Sequence, residues 1–142
     1  MKKKEKNTSK VNEPPPSYRS IKSIPQVKVK DFTYNEFKKI ADKSPFTQAE
    51  WAAILHVSER TLQRYAKSNS TFAPINAERA LQVARVLKEG EFTFGKAENF
   101  CNWLKREPYM LEGNLSFDSL TSYEGIQKVL TQLGRIQHGL FA

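Results

Sequence analysis

From Thr33 onward the apolar positions recur every three or four residues, and no useful run alternates in twos. That is the period of a helix, in which residues three and four apart share a face. The pattern predicts helices at about 34–43, 48–55 and 59–68, a long one from about 76 to about 90 or slightly beyond, a shorter one around 96–105, and a last one at about 122–138. A short turn at 117–120 leads into the last, and "REPYMLEGNLS" reads as a loop. The predicted starts carry chemical marks. Thr33, Thr47 and Thr121 each stand three residues before a glutamate (Glu36, Glu50, Glu124), the spacing of a reciprocal cap between hydroxyl, carboxylate and two backbone amides. Pro45 lies where the first helix must stop, and Pro74 precedes the long one.

The stripes differ in width. The long helix carries Ala77, Ala80, Leu81, Val83, Ala84, Val86 and Leu87, wide enough to be covered on more than one side. The shorter helix offers Phe100, Trp103 and Leu104 for burial. In the last helix Ile126, Val129, Leu130, Leu133 and Ile136 form one stripe, with Lys128, Gln132 and Arg135 off it. Gly134 inside that helix costs about 1 kcal/mol against alanine, so close approach of another backbone is expected there. Gly139 is placed to end the helix in a left-handed turn. Leu140, Phe141 and Ala142 then make an apolar end, which either folds back on its own domain or enters another molecule; the residues alone leave both open.

Charge changes the picture at one end only. The net charge of +8 is carried almost wholly by residues 1–30, which hold nine Lys/Arg against Glu5 and Glu13. That segment also has a triple proline and few apolar residues, and reads as a disordered basic arm. It serves either as a solubilising leader or as an arm that tracks a phosphate backbone. Residues 71–142 balance eight basic side chains against eight acidic ones, so no phosphate-tracking surface is implied there. No apolar run is long enough to cross a bilayer, and no signal peptide opens the chain. The single cysteine, Cys101, lies in an apolar pattern, and a reducing cytoplasm is the expected compartment.

The richest stretch is "TQAEWAAILHVSERTLQRYAK", residues 47–67. Ala49, Ala52, Ile54, Leu55, Val57 and Leu62 can bury a seam between two helices, with Ala52 and Ala53 small enough for close approach. Ser58 is a good cap for the second helix. Its exposed face then reads Glu59, Arg60, Gln63, Arg64 and Lys67, with Leu62 inward and Tyr65 partly packed. This pattern resembles the helix-turn-helix of phage-repressor-like (Xre) proteins: glutamine opening the first helix, alanine within it, and "V-S-x-x-T-L" at the turn. The resemblance implies a second helix that enters a major groove and reads base edges. Glu59, Arg60, Gln63 and Arg64 are the base-contact candidates, and Gln48, Ser58 and Thr61 the phosphate candidates. His56 stands at the turn position where glycine is usual, and it must take a positive φ.

The second half resembles the toxin-binding domain of Xre/ParS/MbcA-type antitoxins. The likeness rests on "ERALQVARVL", "FG" followed by "A…WL", a proline loop, "DSL", "T-x-x-G" and the ending "GRIQHGLFA", similar to the family's G-R-I-x-H-G-x-F-A. The loop "REPYMLEGNLS" departs from the family's shorter form. The resemblance covers about residues 45–142. It implies an all-α protein in which an Xre-like helix-turn-helix bundle (31–72) and a small helical toxin-binding domain (73–142) follow the disordered basic arm (1–30) already read from composition. It also implies the antitoxin of a type II toxin–antitoxin pair, whose partner is a RES-domain toxin that consumes NAD. Arg135, Ile136, His138, Gly139, Leu140, Phe141 and Ala142 would cover that enzyme's active site. The helix-turn-helix would bind operator DNA at its own promoter as a homodimer or higher hetero-oligomer. The alternative is a stand-alone repressor whose second half only homodimerises. No enzyme is expected: His56 and His138 have no cysteine at metal-ligand spacing and the acids form no evident inward pair, so no catalytic residue, metal or cofactor is assigned.

Overall fold

The computed structural model of the 142-residue chain describes residues 31–111 and 113–139. The basic arm, Glu112, Leu140, Phe141 and Ala142 therefore lie outside the described residues. Six α-helices are formed among those described: α1 (Tyr34–Ala41), α2 (Gln48–Leu55), α3 (Glu59–Ser68), α4 (Pro74–Phe94), α5 (Ala97–Lys105) and α6 (Tyr123–Gln137). A 3-10 turn, Phe117–Thr121, precedes α6. The all-α expectation holds, with one small exception. Within the predicted loop, Tyr109–Met110 (β1) pairs antiparallel with Gly113–Asn114 (β2).

Local chemistry sets α2 and α3 to the residue, but α1 and α6 start differently from expectation. Thr33 makes no side-chain cap. The α1 start is finished from a distance: Asn69 Oδ1 accepts from the Asn35 amide at 2.8 Å, and the Ser70 carbonyl accepts from the Tyr34 amide at 2.9 Å. Asn69 reaches there because it ends α3 in the left-handed region, with φ 49°. At α6, Ser122 rather than Thr121 is the cap, accepting from the Gly125 amide at 3.0 Å. The Thr121 hydroxyl is spent on the Asp118 carbonyl, 2.7 Å away, inside the 3-10 turn.

The buried core runs through all the helices. Around α1–α3 it is aromatic: Phe37 and Phe46 meet the Trp51 ring edge-on at 5.1 and 5.7 Å, and Phe72 lies 5.3 Å from Phe37. Trp51, which helical spacing alone did not single out, is almost wholly buried, and its indole N–H donates to Ser44 Oγ at 3.0 Å. On α4, Ala77, Ala80, Val83, Val86 and Leu87 are buried as expected, but Leu81 is 53% exposed. Of the expected α2–α3 seam, Ala52, Ile54, Leu55 and Leu62 are buried; Val57 is half-buried, and Ala49 and Ala53 are exposed.

Two expectations for α6 are overturned. Gln132 does not stand off the apolar stripe but is fully buried, and neither its amide nitrogen nor its oxygen has a hydrogen-bond partner. Among the described residues nothing packs on Gly134: a Cβ there would find open space. The close contact belongs to Gly125, where a Cβ would collide with the Ser119 backbone, so glycine is what lets α6 sit on the 3-10 turn.

Candidate functional site

The helix-turn-helix is built from interlocking caps. Thr47 Oγ1 accepts from the Glu50 amide at 3.1 Å while Glu50 Oε1 accepts from the Thr47 amide at 2.9 Å, completing the reciprocal box at the head of α2. His56 closes α2 at φ 59°, ψ 41°, the left-handed conformation expected of it. Its side chain holds a distant element: Nε2 lies 2.8 Å from the Thr121 carbonyl oxygen. From the other side the Arg79 guanidinium on α4 donates to the Ile54 carbonyl at 3.2 Å. Both supports to the turn escape a reading of sequence spacing, because their partners are 65 and 25 residues away.

Ser58 begins α3, its hydroxyl oxygen accepting from the Thr61 amide at 3.0 Å. The same hydroxyl donates to Thr61 Oγ1 at 2.9 Å. A hydroxyl has one proton, so that of Ser58 is used within the cap and that of Thr61 remains to donate outward. Glu59, Arg60, Gln63 and Arg64 share one exposed side of α3, opposite the buried Leu62. Among the described residues none of these four side chains is held by an ion pair or side-chain hydrogen bond. Gln48 is exposed at the first position of α2. The arrangement is an unencumbered polar helix face, with forked donors on Arg60 and Arg64 and paired donor and acceptor on Gln63.

An ion pair ties this motif to α5. Lys105 Nζ lies 2.7 Å from Glu50 Oε2. Partial burial pushes the Glu50 pKa up, but the Lys105 bond, the Thr47 amide and the Lys105 charge together outweigh it and hold the carboxyl below its ordinary value. Beside this pair, burial pushes the Cys101 thiol up to about 12, with the Lys105 charge opposing and the Glu50 charge assisting. Cys101 is thus a protonated core side chain, not a nucleophile.

On the last turn of α6 Arg135 and Ile136 are half-buried, and His138 is exposed just after it. Gly139 is exposed with φ 73°, the left-handed turn expected of it. The remaining candidates, Leu140, Phe141 and Ala142, fall outside the described residues. Ile136 also lines an open groove of about 500 Å³ with Tyr109, Met110 and Leu111 of the hairpin. Among the described residues no cluster of three or more His, Cys, Asp or Glu side chains is placed to hold a metal ion. No helix among them is long and apolar enough to cross a membrane.

Residues 36–85 match the family model of the antitoxin Xre-like helix-turn-helix domain. The match opens inside α1, spans α2 and α3, and closes inside α4. Over these residues the chain is similar to a DNA-binding antitoxin domain. No curated protein matches the chain.

Proposed function

We propose that this protein is the antitoxin of a type II pair: it represses its own operon through α3 and neutralises a RES-domain, NAD-consuming toxin with residues 135–142. The DNA half of the reading is supported by the family match over residues 36–85 and by the unencumbered face of Glu59, Arg60, Gln63 and Arg64. Arg60 and Arg64 reach guanine edges and Gln63 adenine, as their donor patterns allow. Gln48 and Thr61 reach flanking phosphates, and the cap made by Ser58 keeps Thr61 in position. The operator is read by a pair of subunits in the cytoplasm.

The toxin half rests on the likeness of the ending "GRIQHGLFA" to that of toxin-binding antitoxin domains, and one structural observation carries it. Gly134 weakens α6 by about 1 kcal/mol, yet among the described residues no other part of the fold comes within 4 Å of where a side chain would be. The empty position lies beside Arg135 and Ile136, on the last turns of α6, as a surface kept bare for another molecule would require. In this reading the segment from Arg135 to Ala142 lies over the toxin's cleft and shuts out its substrate. Removing residues 139–142 is expected to abolish protection of cells against the toxin encoded next to this chain while leaving operator binding intact. Full protection by the truncated chain would leave only the stand-alone repressor.

A further inference from the structure

We propose that two copies of this chain pair through the outer face of α4, antiparallel about a two-fold axis near Val83. The pairing deepens the operator reading above and rests on it only for its purpose, since one reading helix covers one half-site. Its geometry comes from α4 alone. Pro74, Glu78, Leu81, Arg85, Lys88 and Phe92 recur at alternating steps of four and three, the spacing of a helix–helix seam. All six are exposed, Leu81 by 53% and Phe92 by 77%. The row spans about 27 Å at 1.5 Å per residue.

The seam is complementary to itself when reversed. With the copies antiparallel, Pro74 of one meets Phe92 of the other, Glu78 meets Lys88, and Leu81 meets the aliphatic stem of Arg85; the two-fold repeats each contact. Two apolar contacts at the ends, two ion pairs inside them and two Leu–Arg stem contacts at the centre use every position. Arginine tolerates the central place because its stem covers leucine while its head stays wet. A parallel, in-register pair would instead set Lys88 on Lys88, Arg85 on Arg85 and Glu78 on Glu78. None of the ion pairs among the described residues already uses Glu78, Arg85 or Lys88. Glu78 and Lys88 are both exposed, so their charges can be reversed without opening the core.

The test is charge reversal in the full chain, followed by sedimentation equilibrium at low ionic strength. Glu78→Lys alone sets Lys on Lys at both ends of the pair, and Lys88→Glu alone sets Glu on Glu. Each single variant is expected to weaken the dimer by about tenfold, from the loss of two attractions and the gain of two repulsions. The double variant E78K/K88E, and an equimolar mixture of the two single variants, are expected to return to wild-type association. A monomeric wild type, single variants that associate as tightly as wild type, or a mixture that fails to recover overturns the pairing. Affinity for a single operator half-site stays constant across the set. Its absence in every chain, wild type included, counts against DNA reading and not against the pairing.

Discussion

The imidazole Nε2 of His56 lies 2.8 Å from the carbonyl oxygen of Thr121, so the turn before the reading helix is tied to the element that launches α6. The same residue bears φ 59°, where any side chain with a Cβ is strained. Two opposed terms therefore meet at one position. His56→Gly loses the hydrogen bond, worth about 0.5–1.5 kcal/mol, but relieves the backbone, and is expected to leave stability within about 1 kcal/mol of wild type. His56→Ala loses the bond and leaves the strain as it is in the wild type, and is expected to cost about 0.5–1.5 kcal/mol. Urea denaturation of both separates the terms; equal losses would show that the bond, not the backbone, sets the choice of residue.

Glu50 predicts a pH dependence with a definite sign. Its carboxyl titrates below its ordinary value in the folded chain. The stability it adds is therefore present above the unfolded carboxylate pKa and lost as pH falls through the folded one. Glu50→Gln keeps an acceptor for the Thr47 amide but breaks the half-exposed Lys105 pair, and is expected to cost about 0.5–1 kcal/mol at neutral pH. That deficit should close in acid. A deficit that persists below the carboxylate range would assign the loss to packing.

The glycines of α6 separate two kinds of space. Gly125→Ala drives a Cβ into the Ser119 backbone and is expected to destabilise the chain by about 1–3 kcal/mol. Gly134→Ala meets nothing among the described residues and is expected to stabilise it by up to about 1 kcal/mol. Under the proposed function the second variant nonetheless loses toxin protection. Thermal melts and a protection assay on the two variants read all three outcomes.

Gln132 is buried with both amide atoms unpartnered, a state that costs about 1–3 kcal/mol. Gln132→Met has a similar shape and no such groups. A rise in melting temperature is expected; a fall would mean that the amide finds a partner in solution.

On α3, Arg60→Ala and Arg64→Ala are expected to weaken operator binding by about 1–3 kcal/mol each. Random DNA is the control. An equal loss there would assign these arginines to phosphates.

What could be read from the chain was whatever is decided within a few residues. The bounds of α2 and α3, the Thr47–Glu50 box, the Ser58 cap and the left-handed His56 all follow from neighbours in sequence. The face of Glu59, Arg60, Gln63 and Arg64 was legible because Leu62 alone tells which way α3 rolls. What escaped is decided across the fold. Asn69 displaces Thr33 as the cap of α1 because two chain segments happen to meet there. Gln132 lies on the buried side, against its residue type, and Leu81 is exposed within a wide stripe, because periodicity sorts residues by type while burial depends on which element lies opposite. The β1–β2 hairpin has strands of two residues, too short for alternation to show.

The borrowed cap of α1 has a consequence for the order in which the molecule comes into being. During synthesis, α1 emerges before the residues that complete it, and until Asn69 and Ser70 have left the ribosome its leading amides have only water to bind. Of the three helices from Tyr34 to Ser68 the first made is thus the last to be secured, and a nascent or trimmed chain that stops short of residue 70 carries it unfinished. A protease that cuts between Ser68 and Ser70 would loosen α1 as well, from more than thirty residues away.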